Sequence, residues 1–440
     1  MNEFESSSVE LCEFIRSAPS CFHVIRRAGE LLESTGFRRL YEHTSWHLTP
    51  GERYYVIRSG SSLIAFDIPE TPSGGFQIIA SHCDSPTFKI KEDPEISKSG
   101  QYVELNVEKY GGMLYGPWFD RPLGIAGRLI VRQDGTFREV LTDSGRDLVL
   151  IPSLAIHMNR KANETATASV QTDLLPVFGD ETASGRFMEI MTEAAGITPD
   201  EVLGNDLFLY VRTPYSVWGA NREFVSSPRL DDLQCAYASL QAVMKKRAND
   251  PGSISVCCIF DNEEVGSETK QGADSTFLQD TLSRISACLG NSSEEHLSRL
   301  ASSFMLSADN SHAIHPAHPE KADPVHRPSL NGGVVIKFNA NQKYTTDAVS
   351  AAIFRSICEK AEIPVQTYVN HSDVPGGSTL GNISASHVSI PCADIGCPQL
   401  AMHSPYETTG IRDTLCMINA MSAFYSTDLR IDESGNYRLL

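Results

Sequence analysis

Ser253-Ile254-Ser255-Val256-Cys257-Cys258-Ile259-Phe260-Asp261-Asn262-Glu263-Glu264-Val265-Gly266 decides how the rest of this chain is read. Its first half is apolar and partly β-branched, the composition of a buried strand. Its second half delivers two adjacent carboxylates where that strand ends. Neighbouring side chains on an extended chain point to opposite sides, so Glu263 and Glu264 need not share one task. One can bind a metal while the other faces a reacting water as a general base. A solvated acidic turn would carry the same letters, so the surrounding chain has to decide.

Outward from this stretch, strands and helices alternate. Asp231 to Lys246 is predicted as a helix with Leu233, Ala236, Tyr237, Leu240 and Val243 on one face. Beyond the acidic pair come a helix near 275–289, a strand at Phe304-Met305-Leu306 and a His- and Pro-rich loop over 311–329. A strand at Val334 to Phe338, a helix over 346–361, a strand at Pro364 to Val369 and a helix over 410–426 follow. Near the N-terminus, residues 7–35 carry two helical patterns that end at Gly36, and Tyr54 to Ile68 alternates like a hairpin. Phe76 to Ala80 is a short buried strand leading into Ser81-His82-Cys83-Asp84. Between these parts the character changes: Val103 to Val107, Gly127 to Val131 and Leu148 to Ile151 read as short strands, Asp134-Gly135 as a hairpin turn, and Arg160 to Thr172 as an exposed loop. The expected fold class is α/β. A central mixed, largely parallel sheet covered by helices is built from residues 1–90 and 226–440 and interrupted by a mostly β insert over 91–225.

At 440 residues the chain is too long for one ordinary core. Its 41% hydrophobic and 21% charged residues are those of a globular protein. A net charge of -18 argues against nucleic acid and anionic membranes as partners. No apolar run is long enough to span a bilayer, and the acidic Met1-Asn2-Glu3-Phe4-Glu5 is no secretory signal. Eleven cysteines, an odd number set mostly in apolar segments, suit a reducing cytoplasm. Cys392 and Cys397, flanking a short loop, read as packed thiols rather than a zinc pair.

His82, Asp231, Glu264, Asp309 and His403 fall where buried strands end or helices begin. Ligands gather at such strand ends in open α/β sheets. Two imidazoles and three carboxylates suit zinc, and suit two metals sharing one carboxylate better than one. Asp84 is placed to accept the His82 ring N–H and fix its tautomer. Each residue also has a plainer role open to it: Asp231 as a helix N-cap, Asp309 in an Asx turn, the histidines as core hydrogen-bonders. The loop Asp373 to Gly381 lacks the Lys-Ser/Thr ending of a P-loop. His312, His315, His318 and His326 read as loop packing, with His312 nearest the site.

Taken together, Ser81-His82-Cys83-Asp84-Ser85-Pro86, Ser227-Pro228-Arg229-Leu230-Asp231-Asp232, Asp261 to Ser267, Ser307-Ala308-Asp309-Asn310-Ser311-His312-Ala313 and Leu400-Ala401-Met402-His403-Ser404 resemble the M18 family, the aspartyl aminopeptidases. Trp118-Phe119-Asp120-Arg121-Pro122-Leu123 and Leu154-Ala155-Ile156-His157 extend the resemblance through the insert. The resemblance implies a cytoplasmic hydrolase that removes N-terminal residues, preferring Asp or Glu, from short peptides with a free N-terminus. It implies two divalent ions, zinc expected, cobalt or manganese as alternatives. Asp231 bridges them, His82 and Asp309 complete one site, and Glu264 and His403 the other. Glu263 is the general base towards a water held between the ions, and Asp84 orients His82. Lys337, Tyr344 and Gly377 face the substrate. The buried Lys337 needs a partner, either a substrate carboxylate or an internal group such as Asp347. His157 projects into a neighbouring subunit's site, dimers assemble into a tetrahedral dodecamer, and Trp118, Phe119 and Trp218 are candidate interface aromatics. After His403 the chain reads Ser404-Pro405-Tyr406-Glu407, with Tyr406 where many eukaryotic members carry Arg, a departure on the substrate side. The rival classes are a dinuclear phosphoesterase, a related aminopeptidase with neutral-residue preference, and a non-catalytic assembly protein that keeps a structural metal.

Overall fold

The computed structural model describes residues 2–164, 167–245 and 251–440. The predicted Lys246 end of one helix lies outside them; that helix runs Leu230–Met244. A nine-stranded mixed sheet forms the centre. Its order is Arg38–Leu40, Arg53–Arg58, Ser62–Asp67, Ile254–Phe260, Phe76–His82, Phe304–Ala308, Cys392–Gly396, Val334–Phe338 and Val365–Val369. The four strands in its middle, Ile254–Phe260 to Cys392–Gly396, run parallel. Side chains alternate between its faces as the pleat requires. Ile79, Cys257 and Leu306 meet Leu11, Val24, Leu233, Phe354 and Met421 from five helices on one face. Ile78, Val256 and Met305 meet Phe277, Leu282 and Ile285 of the helix Phe277–Cys288 on the other.

The strand Cys392–Gly396 corrects the reading of Cys392 and Cys397 as flanking a loop. It is buried along its whole length between Phe304–Ala308 and Val334–Phe338, with too few residues and too much polarity for its pattern to stand out. All eleven cysteines are free.

A second, six-stranded antiparallel sheet takes its strands from between Thr87 and Val211, in the order Thr136–Asp143, Leu123–Gln133, Val202–Val211, Thr87–Ile96, Tyr102–Tyr110, Val177–Asp180. It has a hydrophobic core of its own, with Phe88, Leu105, Ile125, Leu129 and Leu207 fully buried. Asp134 and Gly135 both take positive φ, 50° and 77°, and turn the hairpin between its first two strands. Two expectations need correction here, and one element is new. Leu148 to Ile151 makes only isolated bridges, Val149 to Leu123 and Leu150 to Val177, and is no strand of the sheet. A helix, Phe187–Ala195, was not legible in this β-rich stretch. Trp118 is 2% exposed and packs edge-on to Phe88 inside the core, so it is no interface residue; Trp218, 45% exposed, is at the surface.

A third sheet joins Ser216–Trp218, Phe224–Ser227, Glu407–Gly410, Pro398–Leu400 and Ser311–His312. It brings the segments before Asp231, around His403 and after Asp309 together beside the ends of the central parallel strands. No helix among the described residues is long and apolar enough to cross a membrane.

Candidate metal centre

Three adjacent parallel strands end at one place. His82 closes its strand in register with Phe260, and Asp309 follows Ala308 directly. From Phe260 the chain turns through Asp261 and Asn262, whose φ of 63° redirects it, into a short 3-10 turn carrying Glu263 and Glu264. Asp231 enters from the first turn of Leu230–Met244, and His403, with φ of 64°, from the loop between two strands of the third sheet.

The ligand atoms of His82, Asp231 and Asp309 lie within 4.8 Å of one another, as do those of Asp231, Glu264 and His403, and those of His82, Glu263 and Glu264. Asp231 belongs to the first two groups. His82 Nε2 is 3.7 Å from Asp231 Oδ1, His403 Nε2 is 3.4 Å from Asp231 Oδ2 and 3.5 Å from Glu264 Oε2. Asp231 Oδ1 and Glu264 Oε1 are buried without a hydrogen-bond partner among the described residues. Leaving such a group unpaired costs about 1–3 kcal/mol, and more when charged. Two orphaned carboxylate oxygens facing two imidazoles therefore fit a divalent cation, which would satisfy both.

The electrostatics agree with that fit. Burial, with Asp309, Asp84 and Asp231 reinforcing it against His82, pushes Glu263 up to about 8. Burial and then Asp231 push Glu264 well above the usual carboxylate range. Burial also raises Asp309, against the opposing charge of Lys337. Burial works to lower the His82 imidazole, but Asp84 and the surrounding carboxylates raise it well above its ordinary value. Ligands of this kind bind a metal in their deprotonated form, so binding would release protons.

Two carboxylates hold the cluster from behind. Asp84 is 4% exposed. His82 Nδ1 lies 3.3 Å from its Oδ1 and 3.1 Å from its main-chain oxygen. Its two carboxylate oxygens also accept the backbone N–H groups of Glu263, at 3.1 Å, and Glu264, at 3.2 Å. Glu407 accepts the backbone N–H of Asp231 at 2.9 Å and of His403 at 2.8 Å. Sequence reasoning passed over Glu407; the only signal was an acid four residues after His403. The neighbouring Tyr406 donates its hydroxyl to Pro214 O at 2.7 Å and does not line the cavity beside the cluster.

That cavity, about 310 Å³, is lined by His82, Asp231, Glu263, Glu264, Asp309 and His403 together with Lys337, Tyr344, Tyr368, Gly377 and His312. Tyr368 and His312, in ring contact at 6.0 Å, line the cavity as well as the expected Lys337, Tyr344 and Gly377. Lys337 is 2% exposed. Its Nζ donates to Asp309 O at 2.8 Å, lies 3.6 Å from Asp309 Oδ2 and sits 5.1 Å over the Tyr344 ring. The internal partner is thus Asp309, not Asp347, which caps the helix Ala348–Lys360 by accepting the Ser350 N–H. Burial works to lower the ammonium's pKa, but Asp309 and Tyr344 raise it beyond its ordinary value, so Lys337 stays charged. His157 is not brought to the cluster. It stands exposed in a segment where Leu154, Ile156 and Met158 are 61%, 47% and 77% exposed. His315, His318 and His326 lie away from the cavity, the last two beside Glu320 and Asp323.

A carboxylate–imidazole cluster at the carboxyl ends of a parallel sheet core is the construction of a metallohydrolase. The family model described as "Aminopeptidase I zinc metalloprotease (M18)" matches residues 14–425. A "Probable M18 family aminopeptidase 2" of Clostridium acetobutylicum is 42% identical over 433 residues, 97% of this chain and 99% of that protein. One from Pseudomonas aeruginosa strain UCBPP-PA14 is 40% identical over 425 residues, 95% and 97% of the two chains. Among solved structures, the chain in the Ape4 and Nbr1 complex superposes with TM-score 0.92 at 33% identity, covering 96% of this chain and 86% of that one. The S. cerevisiae mApe1 dodecamer gives 0.84 at 28% identity, covering 96% and 97%. The chain belongs to the M18 family of zinc metalloproteases and is a metallo-aminopeptidase.

Proposed function

We propose that this enzyme is a dinuclear zinc aminopeptidase with a preference for N-terminal Asp or Glu, and that Glu263 is its general base. The observation that carries the proposal is the membership of Asp231 in two ligand groups at once, with Glu263 beside both. In this assignment His82, Asp231 and Asp309 hold one ion, and Asp231, Glu264 and His403 the other. The bound ions would supply Lewis acidity at the scissile carbonyl, a more acidic attacking water and a grip on the free α-amine. Glu263 takes a proton from the attacking water and returns it to the leaving nitrogen. Asp84 fixes the His82 tautomer and the turn on which Glu263 stands. Unblocked aminoacyl anilides should be hydrolysed and N-acetylated ones left intact, with activity lost to a chelator and regained on adding zinc. Turnover of the acetylated substrates, or full activity in chelator, would overturn the proposal.

The acidic preference rests on Lys337. Its ammonium has three donors, one given to Asp309 O at 2.8 Å and one more weakly to Asn310 O at 3.5 Å, and it lines the cavity beside Asp309. Tyr344 and Gly377 line the same wall; the Gly377 backbone approaches with nothing within 4 Å of where a Cβ would stand. The competing reading is a neutral-residue preference, with Lys337 doing no more than bracing Asp309. Lys337→Met separates the two. The ratio of Asp- and Glu-anilide turnover to Ala- and Leu-anilide turnover should collapse in the mutant. A retained ratio together with lost metal would assign Lys337 to bracing alone.

The domain division at 90 and 225 belongs to this proposal, with the insert as the dimerisation unit and dimers assembling into a tetrahedral dodecamer that admits only short peptides. The separate core of the six-stranded sheet and the exposed Leu154, Ile156 and Met158 support it. His157, between two of these apolar side chains, would reach a neighbouring subunit's site. A cytoplasmic location completes the reading, supported by the free cysteines.

A further inference from the structure

The strand Tyr102–Tyr110 of the six-stranded sheet ends against the acidic cluster, and the contacts there are not packing alone. Tyr110 Oη donates to Asp84 Oδ2 at 2.7 Å and accepts from Asn262 Nδ2 at 2.9 Å. Gly111, at φ of 77°, runs so close to Glu264 that an added Cβ would stand 3.1 Å from the Glu264 Cβ. Leu114 N–H donates to His403 O at 3.1 Å. One short segment thus touches Asp84, the Glu263–Glu264 turn and His403.

The phenol position is set from outside the central sheet. Its ring lies edge-on to Phe208, 5.7 Å between centroids, on Val202–Val211, two strands away in the same six-stranded sheet. The carboxylate it meets is the one that accepts both backbone N–H groups of the acidic pair. A buried carboxylate with its four lone-pair directions engaged can take few orientations, and the phenol removes one rotation open to it. We infer that Tyr110 is a positioning residue for the reaction: it orients Asp84, and through Asp84 it sets the direction of Glu263. Burial and the charge of Asp84 hold the phenol far above its ordinary pKa, so the O–H remains a donor. This rests on Glu263 being the general base.

Tyr110→Phe removes one oxygen and keeps the ring. We expect kcat to fall about 10–100-fold, the size of effect seen when a group supporting a metal site is lost, with KM, zinc content and melting temperature nearly unchanged. In an Asp84→Asn background the same change should cost little more, because two residues acting in series do not add. Wild-type kcat in Tyr110→Phe overturns the inference. So does a loss that tracks zinc content or folded fraction, and so does a double mutant whose loss equals the product of the two single losses. Glu263→Gln measured in parallel keeps the two ideas apart. If that change removes metal, the base assignment fails, whereas additivity of Tyr110 and Asp84 condemns only the positioning role.

Discussion

Glu263→Gln should leave the protein with its metal and about 10²–10⁴-fold less kcat. The substitution keeps volume and one acceptor oxygen and removes the capacity to carry a proton. The turn should survive it, because Asp84 holds that turn through the backbone N–H groups of Glu263 and Glu264, not through their side chains. Glu264→Gln should behave oppositely. Its Oε2 lies 3.5 Å from His403 Nε2, and its Oε1 has no protein partner among the described residues. An amide is a poor ligand for zinc, so metal content should fall and activity with it. Metal analysis alongside kcat decides the matter. Equal loss of metal and activity in Glu263→Gln would mean that the two neighbours have been assigned the wrong way round.

The second large effect concerns His157. Its side chain is exposed and does not line the cavity of its own subunit. An imidazole donor aimed at a developing oxyanion is worth about 10²–10³-fold in rate, so His157→Ala should lose that much if the residue serves a site at all. Mixing His157→Ala chains with Glu263→Gln chains, under conditions that allow subunits to exchange, should then restore activity. In a two-fold dimer, random exchange regenerates about a quarter of wild-type sites, each with Glu263 from one chain and His157 from the other. The native mass should also be many times 48.3 kDa. Proven exchange without recovery would place His157 in its own subunit's site or in none.

Features written in short windows were legible before folding. The apolar run from Ile254 to Phe260 ends in acids, which places them where a buried strand stops. Asp134-Gly135 turns a hairpin because both positions tolerate positive φ. Leu233, Ala236 and Leu240 recur at helical spacing and meet one core. The five proposed metal ligands stood out because each follows a strand or opens a helix, and the structure gathers their ligand atoms within 4.8 Å in overlapping groups. The pairing of distant side chains emerges from the packed fold alone. Lys337 sits on Asp309, 28 positions away, rather than on the nearer Asp347, because strands two apart in the central sheet bring the first into reach while helix capping engages the second. Glu407 holds Asp231 across 176 positions, and Tyr110 holds Asp84 from another sheet. Nothing in a local pattern distinguishes a tyrosine that ends a strand from one that orients a carboxylate. Local propensity depends on the residues a few places along the chain, whereas a buried hydrogen bond depends on which elements pack side by side, and that is settled only when the whole core closes.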